Sequence, residues 1–320
     1  MEGTNWTSGR DFVLLGFSEY PKIEVLIFLL CLVMYLIIVL GNSIIIILTI
    51  LDGHLHTPMY FFLSNLSFLD ICFTSSFVPK MLTNFLLERK TISFSECMIQ
   101  VYISLAMGST ECVLLATMAY DRYMAICNPL RYPIIMNKRH CVQLVAASWV
   151  VGFLNSTMET GLVIRLPFCG KNIINHFFCE ILAILKLACV DISLNEIIML
   201  IDSITLAFSP LLLIIISYIF ILSAILRINS AEGRKKAFST CSAHLTVVSV
   251  FYGTILFMYM KPKSKNSITD KFITLFYSVV TPMLNPIIYS LRNKEVNAAM
   301  RNVLKRLPFM RCEQDASPQS

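Results

Sequence analysis

Asp121 and Arg122 stand side by side at the end of a long apolar stretch. A charged side chain in hydrocarbon is costly, so it pairs with another group, reaches the interface or faces a polar cavity. Asp121 can hold Arg122 by a charge-assisted hydrogen bond, which breaks when a partner offers the guanidinium a better acceptor. Such residues usually mark a functional site. The simpler alternative is a basic anchor at the cytoplasmic membrane interface.

Two further carboxyl groups, Asp70 and Glu111, lie deep inside apolar segments. One acid can stay protonated and hydrogen-bonded within a helix bundle, because burial disfavours the charged form. Two acids within reach of one ion can instead bind a cation through their oxygens. We favour the cation, because it accounts for both carboxyl groups at once.

The segments that carry these residues are too apolar for a soluble domain. Of the 320 residues, 56% are hydrophobic and 14% are charged, whereas soluble domains contain about 25% charged residues. A bilayer core about 30 Å thick needs roughly 20 apolar residues per helix. Seven segments meet this length, and we call them spans one to seven: 24–51, 59–82, 98–126, 142–162, 196–226, 237–260 and 272–291. The sequence therefore predicts an all-α membrane protein with a seven-transmembrane helix bundle.

The flanking regions predict a short N-terminal tail (1–23) and a C-terminal region (292–320), outside the bundle domain (24–291). The run 292–307 is basic, with apolar residues at helical spacing, which predicts a short amphipathic helix on the membrane lipid. The net charge of +6 is not gathered in one block, so nucleic-acid binding has no support. No nucleotide loop, metal-ligand spacing or nucleophile elbow is present, so we expect no enzyme and no organic cofactor.

Five segments in order carry a more specific signal. They are Gly41-Asn42; Pro58-Met-Tyr-Phe-Phe-Leu-Ser-Asn-Leu-Ser-Phe-Leu-Asp70; the run 118–132 around Asp121-Arg122; Lys236-Ala-Phe-Ser-Thr-Cys-Ser-Ala-His244; and Pro282-Met-Leu-Asn-Pro-Ile-Ile-Tyr-Ser-Leu-Arg292. Together they resemble the olfactory receptors, a family of rhodopsin-like G-protein-coupled receptors, over nearly the whole chain. The resemblance implies a multi-pass plasma-membrane receptor with its N-terminus outside. A small volatile odorant would activate it, and a stimulatory (olfactory-type) heterotrimeric G protein would then raise cyclic AMP.

The resemblance also implies residue roles at the inner end of the bundle. The residues of the switch and of G-protein coupling would be Asp121, Arg122, Tyr123, Tyr218, His244, Asn285, Pro286 and Tyr289. In the open state Arg122 would leave Asp121, while His244 would lock the inactive state to span three. For Asp70 and Glu111 it implies a sodium ion, with Asn42, Ser109 and Asn285 as polar neighbours.

Four cysteines lie at the start of span three and in the long segment after span four: Cys97, Cys169, Cys179 and Cys189. Four cysteines allow three pairings, and the sequence does not choose among them. The resemblance implies Cys97 with Cys179 and Cys169 with Cys189, in the oxidising lumen where disulfides persist. Asn5-Trp-Thr7 is an N-glycosylation acceptor that supports the same orientation.

Side chains spaced three or four residues apart share one face of a helix, and this rule defines three faces. They are Ser104, Leu105, Gly108, Ser109 and Cys112 in span three, Asp202, Ser203 and Leu206 in span five, and Tyr252, Ile255 and Tyr259 in span six. The resemblance places these faces around an odorant cavity. Ordinary helix packing explains the aliphatic members of the set equally well.

Asp202 is the member that packing explains badly, because an unpaired carboxylate at that depth is costly. Its partner could be Tyr259, a lysine of the segment 261–265, or the ligand itself. The last case predicts odorants that carry a hydrogen-bond donor. An alternative to a receptor is a small polytopic transporter, which would need repeated halves and matching broken helices that this sequence lacks.

Overall fold

The computed structural model describes residues 11–169, 172–260, 267–291 and 294–306. The helices in these ranges are α1 (Pro21–Leu51), α2 (Pro58–Leu86), α3 (Phe94–Cys127), α4 (Tyr132–Ile135), α5 (Lys138–Ile164), α6 (Ile181–Leu185), α7 (Ser193–Ser203), α8 (Ser209–Leu226), α9 (Ala231–Met260), α10 (Ser267–Leu275), α11 (Thr281–Leu291) and α12 (Lys294–Arg306). The strands are β1 (Phe12–Leu14), β2 (Thr91–Ile92) and β3 (Ile173–Ile174).

Within these ranges, seven helical segments are long and apolar enough to cross a membrane, which confirms the predicted spans. Spans one to four are α1, α2, α3 and α5; span five joins α7 to α8, span six is α9, and span seven joins α10 to α11. Several helices begin earlier than predicted because polar residues form their first turns. Span three, for example, starts with a capping box in which Ser93 and Glu96 bond to each other's backbone N–H.

Spans five and seven each contain a π-helical turn, Ile204–Phe208 and Phe276–Val280. A proline follows each turn closely, Pro210 in α8 and Pro282 in α11. Proline has no N–H and its ring clashes with the carbonyl four residues earlier, so the helix adjusts locally before it. Such turns are often found at functional sites.

Close approaches between helices fix the arrangement of the bundle. A Cβ added to Gly152 of α5 would lie 2.0 Å from Thr110 Oγ1 and 2.6 Å from the Ala106 carbonyl oxygen of α3. Only glycine fits at this crossing. At the opposite side of the bundle, a Cβ on Gly41 would lie 3.1 Å from the ring of Pro286, which brings span one against span seven.

A small sheet in the order β2-β1-β3 covers one end of the bundle, which we call the N-terminal face. Val13 of β1 pairs with Thr91 in antiparallel and with Ile173 in parallel register. The fold prediction contained no strands, because runs of two or three residues are too short to show alternation. Its central strand, β1, lies within the segment predicted as an N-terminal tail, and the sheet packs on a buried cluster with Phe168 and Cys179.

The amphipathic helix α12 lies at the opposite end, which we call the coupling face because Asp121 and Arg122 lie there too. Val296 and Ala299 of α12 are buried against the bundle. The hydroxyl of Tyr60 donates to Glu295 Oε2 at 2.7 Å, which ties α12 to the start of span two. Many aliphatic side chains of span one and span five point outward and are exposed, as expected for helices surrounded by lipid.

Candidate functional site

Asp121 and Arg122 form a salt bridge at the coupling face. Arg122 Nη2 and Nε donate to Asp121 Oδ2 at 2.6 and 3.1 Å, and the hydroxyl of Tyr132 donates to Oδ1 at 2.9 Å. The Asp121 side chain is fully buried and that of Arg122 is 11% exposed. Both carboxylate oxygens are therefore occupied, and the guanidinium is held inside the bundle.

His244 connects span six with spans three and five. Its Nε2–H donates to the carbonyl oxygen of Leu115 at 3.1 Å, so Nδ1 accepts the hydroxyl proton of Tyr218 at 2.7 Å. His244 is fully buried and its ring stacks on that of Tyr218. This places His244 against span three, where the resemblance implies a lock. Tyr123 packs near Phe220 of span five, with ring centroids 6.0 Å apart.

The second cluster lies deeper in the bundle, around Asp70. Asn285 Nδ2 donates to Asp70 Oδ2 at 2.9 Å, and the carboxyl of Glu111 is close enough to Asp70 for mutual repulsion. Two buried oxygens here, Asp70 Oδ1 and Glu111 Oε1, have no hydrogen-bond partner among the described residues, and neither does Asn42 Oδ1 of span one. Two neighbouring carboxyl groups with unpaired oxygens fit a cation such as sodium. Ser109, the other expected neighbour, instead bonds to span four.

The predicted ligand faces are brought together only in part. Cys112 of span three contacts the Tyr252 hydroxyl of span six, and a Cβ built on Gly108 would meet no atom within 4 Å, so space is open beside it. The Ser104 hydroxyl has no partner in the described part of the chain. Leu105 packs in the cluster under the sheet and Ile255 in the main core, as ordinary packing predicts.

The remaining predicted ligand residues lie around the π-helical turn of span five or outside the described side chains. Ser203 ends α7 and Leu206 lies within the turn. The side chain of Tyr259 and the segment 261–266 are outside the described residues, as is Asn5. Two of the partners considered for Asp202 therefore fall outside the described part of the chain.

The structure instead places Asp202 beside Glu159 of span four, a neighbour that the sequence analysis missed. The two carboxyl groups lie close to each other. Asn155 Nδ2 donates to Glu159 Oε1 at 3.3 Å and to Ser109 Oγ at 3.1 Å, so a polar chain crosses from span three to span five. The available signal was the spacing of Asn155 and Glu159, which puts two polar residues on one face of an apolar helix.

Two disulfides fasten the N-terminal face, Cys97–Cys179 and Cys169–Cys189, which is the pairing that the resemblance implies. The backbone N–H of Cys179 also donates to Gln100 Oε1 of span three at 3.2 Å. These bonds hold the segment between spans four and five over the bundle. Its loop residue His176 is almost fully buried, and burial together with the nearby Lys271 lowers the pKa of the imidazole to about 3.

The seven-helix bundle has the rhodopsin fold. A crystal structure of squid rhodopsin superimposes with a TM-score of 0.70 at 19% sequence identity, covering 89% of this chain and 86% of that chain. The particular family follows from the sequence: a family model of the olfactory receptors matches residues 30–306. Human olfactory receptor 13C9 is 59% identical over 97% of this chain and 99% of its own length. Human olfactory receptor 13D1 is 63% identical over 96% and 89%. The chain belongs to the olfactory receptor family.

Family membership decides between the functional alternatives. The protein is an odorant-activated G-protein-coupled receptor, and not an enzyme or a transporter. It is a multi-pass protein of the plasma membrane. These conclusions agree with the sequence predictions.

Proposed function

We propose that a small volatile odorant binds between spans three, five and six near the N-terminal face. Binding favours the state in which the coupling face opens to a stimulatory, olfactory-type G protein, and cyclic AMP rises. A ligand shifts this equilibrium only through its different affinity for the two states. Open space beside Gly108 and the free Ser104 hydroxyl support a ligand region there.

The observation that carries this proposal is the set of hydrogen bonds that Arg122 and His244 make near the coupling face. Arg122 is bonded twice to Asp121, and span six is held by the two hydrogen bonds of His244. In the open state Arg122 leaves Asp121, Tyr218 and Tyr289 repack around it, and a G-protein helix docks. The hydroxyl of Tyr289 supports this role, because it is buried without a partner among the described residues.

The test is Arg122→Ala in cells that express the receptor at matched surface levels. We expect ligand-evoked cyclic AMP to disappear while ligand binding persists, because odorants do not reach the coupling face. Arg139→Ala, an exposed arginine at the start of span four, is the control and should respond normally. Normal signalling by the Arg122 variant would overturn the proposed switch.

For the orientation, we propose that the N-terminal face is extracellular and the coupling face cytoplasmic. Both disulfides lie at the N-terminal face, and disulfides persist in oxidising compartments. The glycosylation acceptor Asn5 precedes this face in the chain. Asn5→Gln should abolish a glycosidase-sensitive mobility shift, and an N-terminal epitope should be stained on intact cells. Staining only after permeabilisation would reverse the orientation.

We further propose that Asp70, Glu111, Asn42 and Asn285 hold a sodium ion. Their unpaired buried oxygens support a cation, and the ion would supply positive charge between two acids. Holding these side chains together favours the closed bundle, so sodium should lower basal signalling. Asp70→Asn should remove the sodium dependence of agonist binding in membranes, measured with potassium as the replacement cation. Unchanged sodium dependence in this variant would exclude the site.

A further inference from the structure

We propose that Glu159 and Asp202, together with Asn195, form a recognition site for the ammonium group of a small protonated amine. This inference rests on the proposed binding of a small ligand near the N-terminal face, and it specifies the chemical class of that ligand. It extends the proposed site to span four, which the hydrogen bond from Asn155 to Ser109 joins to span three. The three residues come from spans four and five. Two of them, Glu159 and Asn195, line one crevice.

The first argument is the missing proton donor. Glu159 is only 6% exposed, and it faces Asp202 directly. Glu159 Oε2 and Asp202 Oδ2 receive no N–H or O–H from any other described residue. Neither acid forms an ion pair with a described basic side chain. Two facing carboxyls must then share a proton or a cation, because two like charges at this depth repel each other.

The second argument is Asn195, which is independent of the two acids. The residue is 8% exposed and lines the crevice. Its amide oxygen can therefore accept a hydrogen bond from a donor that enters the crevice. An ammonium group has three donors and no acceptor. Two carboxyls and one amide oxygen match these donors in number and in charge.

The third argument is the shape and lining of the crevice. Its free volume is about 10 Å³, close to the minimum for one water molecule, and an ammonium group is of similar size. The walls around Glu159 and Asn195 are apolar and include Leu162, Ile181 and Met199. The crevice has room for the ammonium group alone, so the alkyl chain would extend out of it past these apolar walls. The sites of small ligands commonly combine apolar walls with a few convergent polar groups.

The positive charge of a protonated amine distinguishes it from uncharged ligands that also donate hydrogen bonds. With one shared proton, the acid pair carries one negative charge, which an alkylammonium ion neutralises. An alcohol offers one donor and no charge, while an ester offers no donor. A carboxylate would be repelled. The hydrogen bond from Asn155 Nδ2 keeps the Glu159 carboxyl in place, so the acid pair stays positioned for a cation instead of turning toward solvent.

The experiment uses the full-length receptor in cells with a cyclic AMP readout. The probes are n-hexylamine, 1-hexanol, methyl hexanoate and hexanoic acid, extended to other primary amines and their alcohol and ester counterparts. We expect an amine to be the most potent agonist of its set. Glu159→Gln and Asp202→Asn keep the shape of the pair, and each should lower amine potency roughly 10- to 100-fold, as expected for a hydrogen bond to a charged group.

Two further measurements keep the outcomes distinct. Asn195→Leu should weaken amines without affecting surface expression, and Ser193→Ala, at an exposed position in the same first turn, is its control. If a variant does not reach the surface, binding of the amines to the parent receptor is measured in membranes at pH 7 and in competition with other agonists. Activation by alcohols or esters but by no amine would overturn this inference and leave the proposed function intact. A receptor that no volatile compound activates would contradict the proposed function itself.

Discussion

His244→Phe tests the structural account of the closed state most directly. The phenyl ring keeps the volume and the stacking against Tyr218, but it removes the bonds to the Leu115 carbonyl and to the Tyr218 hydroxyl. Both bonds join span six to its neighbours in this arrangement. If they break when the coupling face opens, their loss destabilises the closed state and leaves the open state unchanged.

The size of the effect follows from these two bonds. A buried neutral hydrogen bond contributes about 1 kcal/mol net, so two contribute about 2 kcal/mol. This difference shifts an equilibrium roughly 30-fold, at about 1.4 kcal/mol per tenfold change. An open state populated at roughly 1% without ligand would rise to roughly 20%. We therefore expect high basal cyclic AMP and a higher apparent agonist affinity, because the competent state is already populated.

The assay compares basal and agonist-evoked cyclic AMP at equal surface expression, measured by flow cytometry on an epitope-tagged receptor. His56→Phe is the matched control, because His56 is exposed and its ring makes a long contact, 3.4 Å, with the Ile50 carbonyl. Tyr218→Phe removes one of the two bonds and should raise basal signalling less. If His244→Phe responds to agonist but has the basal level of the parent, His244 does not hold the bundle closed.

Three further predictions concern the fold. Gly152→Ala should sharply reduce surface expression, since its Cβ would lie 2.0 Å from Thr110 Oγ1, whereas Gly161→Ala, with open space around it, should be expressed normally. Cys179→Ser should cause retention in the endoplasmic reticulum, because a disulfide is worth about 2–4 kcal/mol; normal trafficking would show that the loop does not need this bond. His176 has a pKa lowered to about 3 from 6.5 by burial, so the unfolded loop binds more protons and stability falls as pH drops from about 6.5 toward 3. Thermal unfolding of purified receptor should show this loss, and His176→Phe should reduce it.

The membrane architecture was predictable because it depends on local composition. Each span is a run of apolar residues whose length matches the bilayer, so the seven segments are visible without any knowledge of their neighbours. The Asp121–Arg122 pair was equally accessible, because its partners are adjacent in the chain. The sequence analysis did not predict the polar first turns of these helices, nor the π-helical turns before Pro210 and Pro282.

The contacts across the bundle were decided only by the tertiary structure. Facing positions depend on the rotation and depth of each helix, which apolar runs do not specify, because lipid and protein interior accept the same side chains. Asp202 therefore appeared to lack a partner until span four placed Glu159 beside it. The three-stranded sheet has the same origin, because its strands are too short for a sequence pattern and come from three segments that are far apart in the chain.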